Sequence, residues 1–322
     1  MNILCFELLF FLINIEMETI EQKNFAVVIP CFRGEGVLRD LVDAICGLER
    51  GPVQVLLIWD GGSERCWAIC DELSKTYEEV GAVRLSRNFG QHNATICGFG
   101  LLNNVDWVVT MDEDGQHRPD DIDTLFSAVD PFTDVVYGVY DKPKFDRSRR
   151  ILSRGLQIAL QAAIPELPSE YSSFRLINSS LARELTGFSN SYTFLDGYLT
   201  WCTNGYKSVV VCHEKSGESK SSYSKRALVV HALNIFITFS ILPLRLISLL
   251  GFGASILGFV LGLKAYLQKM WYPESILPGY TSVLIMASIG FGSVLFALGV
   301  ISEYLYRVNE KTSGRPKYRV RS

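Results

Sequence analysis

Short, largely apolar runs rich in β-branched residues recur through the first 140 positions: FAVVIP (25–30), VQVLLIWD (53–60), residues 82–86, VDWVVTM (105–111) and DVVYGV (134–139). A run without polar alternation, bounded by turn residues, predicts a strand buried on both faces. Between the runs lie stretches with helical periodicity. GVLRDLVDAICGL (36–48) places Val37, Leu41, Ala44, Ile45 and Leu48 on one face, a second helix follows DGGS, and a third spans 91–102. Strand and helix alternate, so the expected class is α/β with a mostly parallel, Rossmann-like sheet. Such sheets bind ligands beyond the carboxyl ends of their strands. CFRGE, DGGS and DEDGQ fall there, so three polar tips are expected to converge on one crevice. The chain has no Walker A pattern and no GxGxxG after its first strand, so a phosphate-rich ligand would need a metal.

The segment VVTMDEDGQHRPDDI (108–122) crowds five acidic residues behind an apolar run. Carboxylates repel one another, so Asp112, Glu113 and Asp114 must face a divalent metal, a basic protein patch or water. Mg²⁺ and Mn²⁺ prefer oxygen ligands. Asp112 and Asp114 straddle the strand tip, and Gln116 can add an amide oxygen. An EF-hand is excluded because no Gly and Glu follow at the required spacing. His117 adjoins the motif and is expected to be solvated rather than a ligand.

The net charge of −3 gives no basic surface for nucleic acid. Eight cysteines lack CxxC or framework spacing, which points to core packing rather than zinc or disulfides. Residues 1–22 are read as an N-terminal extension, with 1–16 dispensable. Composition changes near residue 226. Residues 226–243 contain His231, Asn234 and Pro243 and are expected to lie along a membrane interface. Residues 244–306 hold two uncharged stretches, 246–263 and 275–302, each long enough to span a bilayer. The loop 264–274 has two lysines, whereas the tail from Arg307 has six Lys or Arg. Positive residues stay in the cytoplasm. The expected topology is therefore two-pass, with residues 23–225 and the basic tail 307–322 both cytoplasmic. Gly258 and Gly262 form a GxxxG, a pattern of helix–helix packing, and a homo-oligomer is carried as an expectation.

Taken in order, VVIPCFRGEG, LLIWDGGSE, LSRNFGQH, VTMDEDGQHRPDD, SSFRLI, GESKSSYS and PLRL…LG resemble the membrane-bound GT-A glycosyltransferases of family 2. Within that family the sequence is most similar to polyprenyl-phosphate glycosyltransferases of the dolichyl-phosphate mannose synthase type. The resemblance covers roughly residues 25–307. It implies a GT-A catalytic domain, a nucleotide-sugar donor, a membrane and a polyprenyl phosphate acceptor. It implies that Asp112, Asp114 and Gln116 hold Mg²⁺ or Mn²⁺ with the donor diphosphate. Pro30, Phe32 and Glu35 match the first nucleotide-contacting loop, Asp60 the nucleobase or ribose site, and Arg87 and Asn88 a further donor loop. Phe32, Arg33, Gly34 and Trp59 depart from the family pattern and leave the base open between uracil and guanine.

The acceptor decides whether a general base is needed. A hydroxyl must lose a proton, whereas a phosphate oxygen is already anionic and needs cationic positioning. Cation candidates are Arg147, Arg149, Arg150, Arg175, Lys215 and Lys220; the candidate base for a hydroxyl acceptor is Asp196. Where the family has Gly-Asp before Phe-Arg, this chain has Ser172-Ser173. The expected activity is inverting transfer of one sugar to a polyprenyl phosphate at the cytoplasmic membrane face. The alternatives are transfer to a hydroxyl of a lipid-linked saccharide, or a non-catalytic membrane scaffold. On the first reading Asp196→Asn is tolerated and charge reversal at Arg175 is not.

Overall fold

The structure, a computed structural model, describes residues 23–140, 164–168, 170–188, 192–212, 260, 264, 267, 271, 280–312 and 316–321. The chain divides into two compact units. One is Met1–Ser189, Thr193–Val229 and Pro316–Ser322; the other is Asn190–Tyr192 and Val230–Arg315.

The first unit is built on seven strands: β1 (Phe25–Cys31), β2 (Gln54–Trp59), β3 (Val80–Arg84), β4 (Trp107–Thr110), β5 (Val135–Tyr140), β6 (Arg175–Asn178) and β7 (Tyr206–Val211). Their order is β3-β2-β1-β4-β6-β5-β7. The pairs β2–β3, β1–β2, β1–β4 and β5–β7 are parallel, and β6 lies antiparallel to both β4 and β5. The alternating α/β reading holds, with two differences. β3 begins at Val80 rather than 82, and β6, noted in the sequence only as part of SSFRLI, is a strand inserted between β4 and β5.

Every residue of β1 is buried. One face packs Phe25, Val27 and Ile29 with Leu38, Leu41, Val42 and Ile45 of α1 (Leu38–Cys46) and with Cys66, Cys70 and Leu73 of α2 (Glu64–Thr76). On the other face, α3 (Gln91–Phe99) presses against Val28, and a methyl group at Gly98 would lie 2.4 Å from a Val28 methyl. This two-sided burial explains why the run carries no polar alternation. The cysteines follow the core reading: Cys31, Cys66, Cys70 and Cys97 are buried, and all seven described cysteines are free. Burial pushes the Cys31 and Cys97 thiols up, so they are held neutral.

Parallel register sets the strand tips side by side. Cys31 is level with Trp59, and Met111 N–H reaches the Val28 carbonyl at 3.2 Å. The DGGS turn is then drawn under the CFRGE loop. Ser63 N–H donates to the Phe32 carbonyl at 3.2 Å, the Ser63 hydroxyl donates to Glu35, and the same oxygen caps α2 by accepting from Cys66 N–H at 3.1 Å. Gly61 has φ +72°, and a methyl group at Gly62 would lie 1.7 Å from the Phe32 carbonyl oxygen. Neither position has room for a side chain.

Residues 316–321 return to this unit. Leu85, just beyond β3, pairs with Val320 in an antiparallel bridge. Ser86 N–H donates to the Arg319 carbonyl, and Arg321 N–H to the Arg84 carbonyl, each at 2.8 Å. The sequence read this segment only as a basic tail; in the structure its backbone extends the β3 edge.

Three further helices belong to the first unit: α4 (Asp121–Ser127), α5 (Ser179–Leu185) and α6 (Leu195–Cys202). The second unit contains α7 (Tyr280–Thr312), 33 residues long. Among the described residues no helix is long and apolar enough to cross a membrane, and side chains at several α7 positions fall outside that description. The extension 1–22, the interfacial segment 226–243 and, apart from Val260, the stretch 246–263 also lie outside the described residues.

Gly62→Ala is expected to destabilise the fold by about 1–3 kcal/mol through forced separation of two loops. Denaturant unfolding of the variant should show a lower midpoint with an unchanged slope. An unchanged midpoint would show that the two loops separate freely.

Candidate active site

The strand-tip carboxylates hold the loops of neighbouring tips. Glu113 accepts from Phe32 N–H at 2.8 Å and from Arg33 N–H at 2.7 Å. Gly34 gives it room, since a methyl group there would lie 2.6 Å from the Glu113 carboxylate. The expected positive partner of Glu113 is thus neither metal nor side chain but a pair of backbone dipoles. Asp60 is 4% exposed and accepts from Phe89 N–H at 2.7 Å and Gly90 N–H at 2.8 Å. Burial raises its pKa above the ordinary value, while the two N–H groups oppose that shift. Asp60 therefore fixes the loop that carries Arg87 and Asn88, both exposed. The Arg87 guanidinium lies 4.4 Å from the Phe89 ring centre, and Asn88 Oδ1 accepts from Gly90 N–H at 2.9 Å. Of the first loop, Pro30 is buried in β1, Phe32 is half-buried with the Arg33 guanidinium 5.1 Å over its ring, and Glu35 accepts from Ser63.

Asp112 and Asp114 sit beyond β4. Asp112 accepts from the Gln91 amide with one oxygen and from the Ser173 hydroxyl with the other. Asp114 Oδ1 accepts from Gln116 N–H at 3.1 Å across a turn in which Gly115 has φ +70°. Tyr140 donates its hydroxyl to the Gln116 carbonyl at 3.1 Å. Its pKa is raised, first by burial and then by the negative charge of Asp114 and Asp112. Negative potential therefore concentrates where an oxygen-preferring cation would sit. Among the described residues no group of three or more His, Cys, Asp and Glu side chains is gathered for a metal ion. Two carboxylates with the balance from phosphate and water is the ligand set that Mg²⁺ accepts, so the residues present fit such an ion.

His117 is neither solvated nor placed as a ligand. It is 4% exposed, stacks on Phe174 (5.0 Å) and Tyr140 (6.1 Å), and accepts from Asp112 N–H at Nδ1 over 3.0 Å. An accepting Nδ1 carries no proton, so the neutral ring's N–H is at Nε2. His117 thus holds the backbone of Asp112.

Arg175 and Asp196, expected as acceptor cation and candidate base, occupy one buried cluster. They are 3% and 2% exposed, and the Arg175 Nη1 to Asp196 Oδ1 distance is 3.4 Å. Arg175 Nε donates to the Ser172 carbonyl at 3.0 Å, and Tyr137 donates its hydroxyl to Asp196 at 3.2 Å. Burial raises the pKa of Asp196, opposed by the Arg175 charge and the Tyr137 hydroxyl. Single replacements at either position thus break a buried pair, and their effect on turnover no longer separates the acceptor classes. Arg147, Arg149 and Lys215 lie outside the described residues, as does GESKSSYS.

Sequence reasoning missed Gln91, Ser173, Tyr137 and Tyr140. Two of them left a signal: Gln91 lies within LSRNFGQH, and Ser173 stands at the Ser172-Ser173 departure from the family pattern, with its hydroxyl holding Asp112.

Residues 26–189, just over half of the chain, match the family model described as Glycosyl transferase family 2. The chain is 27% identical over 315 residues to the uncharacterized glycosyltransferase YkoT of Bacillus subtilis, covering 93% of this chain and 91% of the relative. It is 25% identical to the undecaprenyl-phosphate 4-deoxy-4-formamido-L-arabinose transferase of Yersinia enterocolitica, covering 94% of each chain. Among solved structures, glucosyl-3-phosphoglycerate synthase from Mycobacterium tuberculosis, in complex with Mn²⁺, UDP and glucosyl-3-phosphoglycerate, superposes with a TM-score of 0.51. That likeness covers 69% of this chain and 81% of the synthase at 14% identity, which shows a common fold.

Removing one member of the Arg175–Asp196 pair strands the other charge in the core, an expected loss of about 3–5 kcal/mol. Arg175→Met with Asp196→Leu should lose distinctly less than the sum of the singles. Unfolding of the three variants checks this, and additive losses would show that the pair is not coupled.

Proposed function

The chain belongs to glycosyltransferase family 2 and is a glycosyltransferase, and from that membership we propose that it transfers a single sugar, with inversion, from a nucleotide-diphosphate sugar to a polyprenyl phosphate at the cytoplasmic face of a membrane. The observation that carries this reading is the extent of the similarity to the undecaprenyl-phosphate transferase. It spans 94% of both chains and so runs beyond the family domain into the apolar C-terminal third. Inversion follows from a single in-line attack by the acceptor on the sugar carbon.

On this reading Asp112 and Asp114 hold Mg²⁺ or Mn²⁺. When bound, the ion supplies Lewis-acid neutralisation of the leaving diphosphate. Gln91, Ser173 and His117 orient Asp112, through both carboxylate oxygens and through its backbone N–H. Glu113 and Asp60 fix the loops that would line the donor. A phosphate acceptor needs no proton removed. The depth of Asp196, bonded to Tyr137 and paired with Arg175, agrees better with that base-free chemistry than with a general base at this position.

Placement at the membrane has two supports. The first is the uncharged stretch 275–302 of the sequence, which as a helix at about 1.5 Å per residue would be long enough for a bilayer. The second is the pairing of Arg319–Arg321 with Arg84–Ser86. Segments paired in one sheet share one side of a membrane, so the chain between them crosses an even number of times. Two passes, with the catalytic domain and tail cytoplasmic, satisfy that parity.

The test is incubation of the purified full chain with a panel of nucleotide-sugars, undecaprenyl or dolichyl phosphate, and Mg²⁺ or Mn²⁺. Label should enter a lipid that mild acid cleaves. Transfer only to hydroxyl acceptors would replace this reading with the alternative.

Chelation by EDTA should abolish turnover and added Mg²⁺ or Mn²⁺ should restore it. Asp114→Ala should lower turnover by about 10³-fold, the rate equivalent of several kcal/mol of lost charge stabilisation. Its unfolding midpoint should not fall, because the substitution at a half-buried strand tip relieves carboxylate repulsion and removes no core volume. Near-normal turnover in this variant would sink the metal assignment.

A further inference from the structure

We propose that Lys317–Arg321 form a positioning strand that holds Ser86–Gly90 in its donor-binding conformation, so that the segment beyond α7 completes the active site from behind. The inference rests on the reading of Ser86–Gly90 as a donor-side loop.

The loop leaves β3 and is pinned at both ends. At its far end the Asp60 carboxylate takes Phe89 N–H and Gly90 N–H. At its near end Leu85 N–H donates inward to the Trp59 carbonyl at 2.9 Å, and Ser86 N–H points the other way, to the Arg319 carbonyl. Alternation of backbone donors along a strand requires that second direction to find an acceptor. β3 is the terminal strand of the sheet, so on that side the partner is either water or an added segment. Arg319–Arg321 is that segment. Between the two pins Arg87 and Asn88 remain exposed, and the Asn88 backbone packs so closely on Gly61 that a methyl group there would lie 2.5 Å from Asn88 nitrogen.

The added segment is anchored independently of β3. Lys317 Nζ donates to the Thr186 carbonyl at 2.9 Å, where Thr186 caps the C-terminus of α5. A cation there meets the negative end of the helix. The Tyr318 hydroxyl lies against Gly100, the C-cap of α3, where a methyl group would be 3.2 Å away. Three elements, β3, α3 and α5, therefore share one strap. Lys317, Tyr318 and the pairing backbone do different work: the two side chains fix the strap's position, and its carbonyl and N–H groups fix the loop.

Loss of the near-end pin leaves the loop free to populate other conformations. A ligand that needs one of them binds more weakly in proportion to its lost population.

The experiment compares the full chain, a chain ending at Arg315, and Arg321→Pro, which deletes the N–H donated to the Arg84 carbonyl. Hydrogen exchange is measured over residues 85–90 and over β1 and β4, together with binding of UDP and of GDP in the presence of Mn²⁺. In the shortened chain, exchange at Ser86–Gly90 should quicken by about tenfold while β1 and β4 stay protected. Affinity for whichever nucleotide the full chain binds should fall by about tenfold. Arg321→Pro should move both readouts in the same direction by a smaller factor, and it carries the comparison alone if the shortened chain does not fold. Unchanged exchange at 85–90 in both variants overturns the strap. Faster exchange with unchanged nucleotide affinity overturns its positioning role. If the full chain binds neither nucleotide, the donor-site reading fails while the exchange result still decides the strap.

Discussion

A parallel sheet ends in backbone N–H groups that its own ladder cannot satisfy, and here the carboxylates of neighbouring strand tips satisfy them. Glu113 serves the tip of β1, and Asp60 serves the loop that follows β3. These bonds are part-buried or exposed, so each contributes about 0.5–1.5 kcal/mol, and together they set the conformation of the loops. They also sort the acidic residues by role. Glu113 and Asp60 are committed to backbone. Asp112 is held on both oxygens by Gln91 and Ser173, whereas Asp114 makes, among the described residues, a local turn contact with Gln116.

The second organising feature is ionic and lies deeper. Arg175 stands at the start of β6, in register with Thr110 of β4 and Tyr137 of β5. Its charge is met by Asp196 from α6, and Tyr137 closes the triangle. An apolar cluster of the same volume would hold these elements at least as well. The polar version ties three elements through one carboxylate: Asp196 accepts from Tyr137 and faces Arg175 as an ion pair, while Arg175 Nη1 makes no hydrogen bond among the described residues. Ser172 and Ser173, adjacent in the chain, link this cluster to the acidic tip of β4: the Ser172 carbonyl accepts from Arg175 and the Ser173 hydroxyl donates to Asp112.

The strands buried on both faces were legible because nothing polar interrupts FAVVIP or, after Gln54, VLLIW. β3 was displaced by two residues because it lies at the sheet edge and is only half-buried, so apolar content is a weaker marker of its start. β6 left almost no pattern: four residues, two of them Arg175 and Asn178, become a strand only because β4 and β5 flank them. Asp112 and Asp114 could be singled out from local spacing. Gln91 and Ser173 could not, since they reach Asp112 across 21 and 61 residues. His117 was misread for a related reason. Its sequence neighbours are polar, but Phe174 and Tyr140 bury it from distant parts of the chain.

The strap on β3 has a consequence for biosynthesis. Arg84 and Ser86 are made early, whereas their backbone partners Arg321 and Arg319 follow only after a long excursion through a second unit. At 5–20 residues per second a ribosome needs roughly 10–50 s to cover that interval. Throughout it the nascent sheet carries an unpaired edge, the kind of surface that recruits foreign strands. Arg84 sits on that edge with its guanidinium 4.5 Å from the Trp59 ring centre and 2.5 Å from Glu64. Its backbone carbonyl gains a partner only when Arg321 arrives.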